Sequence, residues 1–355
     1  MNLKYLENKF KNKKVFITGH TGFKGSWLSF LLYKLGANVT GYALLPKERL
    51  NNFELLKLES KINHFEGNIC DYNSLFEIVK KVKPDYFFHL AAQAIVKDSY
   101  RDPVDTFNTN IFGSVNILET VKKLDHICNL VFITSDKCYE NLEQKVGYVE
   151  NDKLGGIDPY SASKAAAEII FSSYQRSFFS HRIKLGAASA RAGNVIGGGD
   201  WSKNRIVPDC IRSINNNKTL KIRNPNSTRP WQHVLEPISG YLALAIALDE
   251  DPKSFSSSWN FGPNENDVKS VIRVANGICN KFNYHNIEIE SSSAINQHEA
   301  NLLQLNCDKA KECLNWYPRW DFQKTIDVTS DWYKFVNEGG SAETITLSQI
   351  EEYFS

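Results

Sequence analysis

Tyr160 and Lys164 stand four residues apart in the run Tyr160-Ser161-Ala162-Ser163-Lys164, which places a phenol and an ammonium on one face of any helix that begins there. A positive charge nearby stabilises a phenolate and draws a tyrosine pKa down from its usual value of about 10. Such a tyrosine can take the proton of a substrate alcohol near neutral pH and so initiate hydride transfer. Tyr and Lys at this spacing are common on solvated helix faces, so the pair gains meaning only from a second motif. That motif is Gly19-His20-Thr21-Gly22-Phe23-Lys24-Gly25. A glycine-rich turn after a strand and opening a helix lets backbone N–H groups approach a pyrophosphate, and the helix N-terminus adds about half a positive charge. A dinucleotide is the ligand this context predicts. The acidic residue that holds the adenosine ribose of NAD is missing from the end of the second strand, where Tyr42, Ala43 and Leu44 stand, so that position does not separate NAD from NADP.

These groups need an α/β frame. Residues 14–190 alternate short apolar runs with longer amphipathic ones, the pattern of a parallel sheet with crossover helices. Strands are predicted at 14–18, 38–43, 62–66, 86–90, 129–134 and 184–190, with helices at 25–35, 73–82, 104–123 and 161–179. Right-handed crossovers make this a doubly wound Rossmann sheet. Beyond residue 190 the texture turns to Gly-, Asn- and Pro-rich stretches with short helices near 208–214 and 236–248, and serine-rich runs occur at 254–258 and 291–293. A smaller α/β substrate-binding lobe is expected there. The expected division is residues 1–190 plus about 236–261 for the dinucleotide lobe, and 191–235 with 262–355 for the smaller one.

The 355 residues exceed what one compact core usually holds. Hydrophobic residues at 42% and charged residues at 23% exclude a disordered or fibrous chain. With 42 Lys and Arg against 40 Asp and Glu, the net charge of +2 offers no general footprint for nucleic acid or an anionic membrane. The longest uncharged apolar run, 240–248, is under half of the roughly 20 residues that span a bilayer. The charged N-terminus lacks a secretory signal pattern. Seven widely spaced cysteines, with no CxxC pair, suit packed thiols in a reducing cytoplasm rather than a metal site.

Five segments carry a resemblance: GHTGFKGSWL from Gly19, ITSDKCYEN from Ile133, GGIDPYSASKAAAE from Gly155, ARAGNVIGGGDW from Ala190 and RPWQHVLEP from Arg229. Together they resemble the extended short-chain dehydrogenase/reductase family, and within it the sugar-nucleotide dehydratases, over most of the chain except the stretch before Lys14 and the tail after about Asn337. The resemblance implies bound NAD, a nucleotide-linked hexose as substrate, CDP-glucose foremost, and loss of water across C5 and C6 after oxidation at C4. It implies Tyr160 as base at the C4 hydroxyl, Lys164 as its tuning cation and nicotinamide-ribose contact, and Ser135 as a hydrogen-bonding partner of the C4 oxygen.

Asp136 and Lys137 separate this reading from a plain oxidoreductase, because water elimination needs an acid for the C6 hydroxyl and a group to manage the C5 proton or enolate charge. Related dTDP-glucose enzymes carry Asp-Glu at these positions. With Lys137 in place of the glutamate, the side chain serves either as a base of depressed pKa or as a cation beside the enolate. The resemblance further implies Asn194 and Arg229 at the sugar-nucleotide diphosphate, with His233 in the same segment; a packed, hydrogen-bonded histidine is the equal alternative there. For the cofactor it implies Gly19, Thr21, Gly22, Phe23 and Gly25, then Asn68 and Ile69 at adenine, the strand end Leu90-Ala91-Ala92-Gln93, and Asn110.

A homodimer or higher homo-oligomer is implied through the helices at 104–123 and 161–179. Two other functions share parts of this pattern. A nucleotide-sugar 4-epimerase, or a dehydratase for a dTDP- or GDP-linked hexose, would keep the glycine turn and the Tyr-Lys pair, although an epimerase has no need of an acid at Asp136. A non-catalytic dinucleotide-binding regulator would have no need of Tyr160 and Lys164.

Overall fold

The structure is a computed structural model that describes residues 1–182, 184–290 and 302–355; the serine-rich residues 291–293 lie outside the described residues. Its centre is a parallel sheet of seven strands: β1 (Lys14–Thr18), β2 (Asn38–Ala43), β3 (Asn63–Glu66), β4 (Tyr86–His89), β5 (Asn129–Ile133), β6 (Ala187–Ala192) and a late strand, Ser258–Phe261. Three small pairs lie outside that sheet: β7 (Val195–Ile196) with β10 (Gln232–His233), β8 (Leu220–Ile222) with β13 (Ile287–Ile289), and β9 (Thr228–Pro230) with β12 (Val268–Ser270). The late strand is then β11, and the sheet order is β11-β6-β5-β4-β1-β2-β3.

The central strands are buried on both faces, which is why they read as continuous apolar runs. Val15 and Ile17 of β1 enter a core with Trp27, Leu28 and Leu242, whereas Phe16 between them enters the opposite core with Leu75, Val79, Ile117 and Phe171. Helices Phe23–Lys34 and Leu235–Glu250 therefore cover one face, and helices Tyr72–Val82, Gly113–Lys123 and Pro159–Tyr174 the other. The chain crosses from the β3 edge back to β4 beside β1, so the sheet has its switch point between β1 and β4. Ligands of doubly wound sheets sit outside the strand carboxyl ends at such a point.

The structure refines two of the expected elements and adds two that were not foreseen. The helix expected over 104–123 is present from Pro103 to Lys123, with a π turn at Asn108–Phe112 inside it. The strand expected from 184 begins at Ala187, because Leu185 closes a turn by donating its N–H to Arg182 O. The charged N-terminus forms a helix, Leu3–Phe10, whose Leu6 and Phe10 are buried. Ser258–Phe261 is a sheet strand paired with β6, which its short polar-flanked sequence did not announce. Among the described residues no helix is long and apolar enough to cross a membrane.

Candidate active site

The glycine turn follows β1 directly. Gly19 has φ +75, and a Cβ there would lie 2.7 Å from the Ala91 nitrogen; one on Gly25 would lie 2.1 Å from the Gly19 carbonyl oxygen. Only glycine permits that backbone and that approach. The next helix, Phe23–Lys34, has Gly22 as N-cap with no side chain bonded to its first turn. Its free amide end and the Ala91 backbone line one cradle, which fits a dinucleotide pyrophosphate. Phe23 is partly buried against the adjoining core. Thr21 donates its hydroxyl to Leu44 O (2.9 Å), bracing the turn against the end of β2.

The remaining expected cofactor residues surround the same strand ends. Tyr42 donates its hydroxyl to Asn68 O (3.1 Å), while Asn68 Oδ1 accepts the Cys70 N–H (2.9 Å), so the Asn68 acceptor serves its own turn. Ile69 is buried, and its carbonyl accepts from Asn116 (2.9 Å). Leu90 donates its N–H to Thr18 O (3.1 Å), and Ala91 and Ala92 continue the strand end. Asn110 sits in the π turn, a distortion common at functional sites. Its Oδ1 accepts the Gln93 N–H (2.8 Å) and its Nδ2 donates to Gln93 O and Ser163 Oγ, each at 2.9 Å. Asn110 thus clamps the Ala91-Ala92-Gln93 segment to the helix of Tyr160 and Lys164.

That helix, Pro159–Tyr174, starts cleanly. Asp158 accepts the Ser161 N–H (2.9 Å) as N-cap, Pro159 occupies the first turn, and Ser99 Oγ accepts the Tyr160 N–H (3.2 Å). Tyr160 and Lys164 are both buried. Burial pushes the Tyr160 phenol up to about 12 against the hydrogen bond of Ser135, and brings the Lys164 ammonium down to about 8 against the negative charge of Glu168. The expected lowering of the tyrosine by Lys164 is therefore corrected: desolvation outweighs it, and the cation that lowers Tyr160 is Arg205.

Opposite them β5 ends in a single 3-10 turn, Asp136–Cys138, capped by Ser135. The Ser135 hydroxyl donates to Asp136 Oδ1 (2.9 Å), and Asp136 Oδ2 is buried with no hydrogen-bond partner among the described residues. Burial raises the Asp136 pKa, opposed by Lys137, Ser135 and Arg229. Lys137 is half-buried on the same turn.

The second part of the chain closes this end. Arg229 lies buried on β9, with Nη1 donating to Thr228 O (2.8 Å), and its charge reaches Asp136. Asn194 is half-buried after β6, and its carbonyl accepts the Gln232 N–H (3.1 Å). His233 does not share this setting. It is fully buried between the rings of Trp27 (centroids 5.6 Å) and Trp320 (4.8 Å), with Nδ1 accepting the Leu235 N–H (3.3 Å), and burial brings its pKa down to about 3. This setting favours the packed alternative, with Nε2 buried and without a hydrogen-bond partner among the described residues.

Two cations complete the site that the sequence did not single out. Lys24, inside the glycine turn, is brought down to about 8 by burial and by the charges of Arg205 and Lys164. Arg205 pairs with Asp200 at 3.0 Å. Lys24 lies in a motif already singled out and Arg205 in none, and only the folded chain shows that these side chains converge with Lys164 and Asp136.

A doubly wound sheet with a glycine turn at its switch point and a Tyr-Lys pair on a neighbouring helix is the arrangement of the short-chain dehydrogenase/reductase class, and the chain belongs to the family described as GDP-mannose 4,6 dehydratase, whose model matches residues 16–329. It is 43% identical to CDP-glucose 4,6-dehydratase of Salmonella typhimurium, over 98% of each chain. Among solved structures it is similar to a dTDP-glucose 4,6-dehydratase of Streptomyces venezuelae with NAD and TYD bound (19% identity, TM-score 0.78, 94% and 99% of the two chains). It is likewise similar to a UDP-glucose 4-epimerase of Thermotoga maritima with UDP-glucose (22%, TM-score 0.77, 91% and 99%). At these identities the solved structures establish the fold.

Proposed function

We propose that the chain is an NAD-containing CDP-glucose 4,6-dehydratase, a hydro-lyase that converts CDP-D-glucose to CDP-4-dehydro-6-deoxy-D-glucose and water. The observation that carries this reading is the buried, unpartnered Asp136 Oδ2 near Tyr160, a carboxyl whose pKa burial raises. An epimerase has no use for that acid. The similarity to the Salmonella enzyme over both whole chains supports the choice of nucleotide.

In this mechanism Tyr160 takes the proton of the sugar C4 hydroxyl while Ser135 hydrogen-bonds the same oxygen. NAD, if bound in the glycine-turn cradle, would supply the hydride chemistry at C4 and C6. Lys164 keeps a positive charge next to the departing proton. Once C4 is a carbonyl, the C5 hydrogen is acidic, and Asp136 gives its proton to the C6 hydroxyl so that it leaves as water. Lys137, one residue on, either takes the C5 proton or balances the enolate charge. Arg229 and Asn194 hold the sugar-nucleotide diphosphate, for which a planar guanidinium is well suited. Gly19, Thr21, Gly22, Phe23, Gly25, Asn68, Ile69, Leu90, Ala91, Ala92 and Gln93 hold the cofactor, with Asn110 fixing Gln93.

Residues 1–190 with 236–261 form the NAD lobe in this reading, supported by the pairing of β11 with β6, and 191–235 with 262–355 form the substrate lobe. A homodimer through the helices around 103–123 and 159–179 is supported by the exposed Val104, Phe112, Ile169 and Phe178, and sedimentation as a monomer at micromolar concentration would refute it. The enzyme is assigned to the cytoplasm. The decisive experiment incubates the protein separately with CDP-glucose and dTDP-glucose, without added reductant, and identifies the products. The 4-dehydro-6-deoxy sugar from CDP-glucose supports the reading; an epimerised sugar, or no turnover, overturns it.

A further inference from the structure

Glu168 lies one helical turn beyond Lys164 and two beyond Tyr160, so all three share a stripe of the helix Pro159–Tyr174. It is 1% exposed. Its Oε1 accepts a short hydrogen bond from the Thr134 hydroxyl. Its Oε2 accepts from the Ser189 hydroxyl (2.8 Å) and the Arg191 guanidinium (2.7 Å), with the Ser258 hydroxyl at 3.4 Å. These partners stand at the end of β5, on β6 and on β11. One carboxylate therefore ties the helix of the Tyr-Lys pair to three adjacent strands.

The attachment to β5 has a direct bearing on the reaction. Thr134 immediately precedes Ser135 and Asp136, so the bond to Glu168 fixes the point where those two residues leave the sheet. A buried ion pair such as Glu168 with Arg191 adds little net stability compared with apolar packing. It does impose a register that apolar contacts leave loose. Reacting groups on separate elements must be held to within about 0.5 Å, and nothing in the local sequence of either element supplies that.

We propose that Glu168 is a positioning residue which, through Thr134, sets Ser135 and Asp136 relative to Tyr160 and Lys164. The proposal rests on the dehydratase reading of those four residues. Glu168 also acts electrostatically: its charge opposes the burial that lowers the Lys164 pKa. The ionisable groups facing it are Arg191 on β6, Cys138 after β5 and Lys164 on its own helix, with Tyr139 reaching Arg191 from the far side. Lys164 in turn faces Cys138, His89 at the end of β4, and Lys24.

The test uses the NAD-loaded full chain carrying Thr134→Val, Thr134→Ser or Glu168→Gln. Valine removes the tether and keeps the ion pair: kcat should fall about tenfold or more with KM for CDP-glucose within about twofold, and serine should restore it. Amide hydrogen exchange over residues 135–138 should quicken in the valine variant alone. Glu168→Gln keeps an acceptor for Thr134 but removes the charge, so the alkaline limb of kcat/KM should move to lower pH. If the unpaired Arg191 unfolds that variant, Glu168→Gln with Arg191→Met takes its place. Wild-type kcat together with wild-type exchange at 135–138 in Thr134→Val overturns the proposal. Should the unaltered chain fail to turn over CDP-glucose, the dehydratase reading falls, and the exchange result alone decides whether the tether exists.

Discussion

The Ser135 hydroxyl donates to Asp136 Oδ1 over 2.9 Å, and the opposite oxygen, Oδ2, is left buried and without a partner among the described residues. The bond orients the carboxyl, and desolvation raises its pKa. Oδ2 is thereby the oxygen from which a proton would pass to a leaving hydroxyl. Asp136→Asn preserves the shape and the bond but cannot supply that proton, so product formation should fall by about 10²–10⁴. C4 oxidation should persist, visible as near-ultraviolet absorbance of the reduced nicotinamide in a single turnover. Dehydration at the unaltered rate would remove Asp136 as the acid.

Lys137 tests the second half of the elimination. In heavy water, Lys137→Ala should suppress deuterium entry at C5 while leaving C4 oxidation detectable. An unchanged overall dehydration rate would take Lys137 out of the mechanism.

Lys164 supplies a pH dependence. Burial lowers its ammonium to about 8, so the charge it provides is present below that pH and lost as pH rises through it. The pH profile of kcat/KM should therefore decline above about pH 8. Lys164→Arg, whose guanidinium stays charged, should flatten this limb even at a reduced rate. Lys24 also falls to about 8, which makes Lys24→Met the control: the limb must survive in it if Lys164 is the titrating group.

A different pH dependence concerns stability. Glu236 is fully buried, accepts the N–H groups of Arg319 (3.1 Å) and Trp320 (2.8 Å) and the Tyr353 hydroxyl (2.6 Å), and is pushed by burial up to about 7. Because the folded chain favours the protonated form, this group's contribution is complete below its ordinary value of 4.5 and is lost as pH rises through about 7. The loss amounts to about 3 kcal/mol and is complete just above pH 7. Between these limits, Tm of the wild type should decline relative to that of Glu236→Gln. Parallel curves would refute the assignment.

The bounds of β1 and β2 were legible because strands covered on both faces must be apolar throughout, and the glycine turn because its backbone geometry excludes other residues at Gly19 and Gly25. The Tyr160–Lys164 pair was legible from spacing. What the sequence concealed depends on contacts between distant segments. Lys24 and Arg205 carry no local signal of a role; only folding brings them to Lys164 and Asp136. His233 sits among motif residues yet packs between Trp27 and Trp320, which no local pattern encodes. The rise of the Tyr160 pKa has the same origin, since desolvation depends on everything that covers the ring.

The pairing of β11 with β6 also has a kinetic consequence. Residues 193–257 separate the two strands, so during synthesis β6 has an exposed, hydrogen-bond-hungry edge until a distant segment emerges. Such an edge invites pairing with other chains, and its closure is a contact of long sequence separation that slows folding. The nascent protein should therefore be most prone to aggregation in the interval between these two strands, and substitutions that weaken β11 should depress the yield of folded chain more than the activity of what does fold.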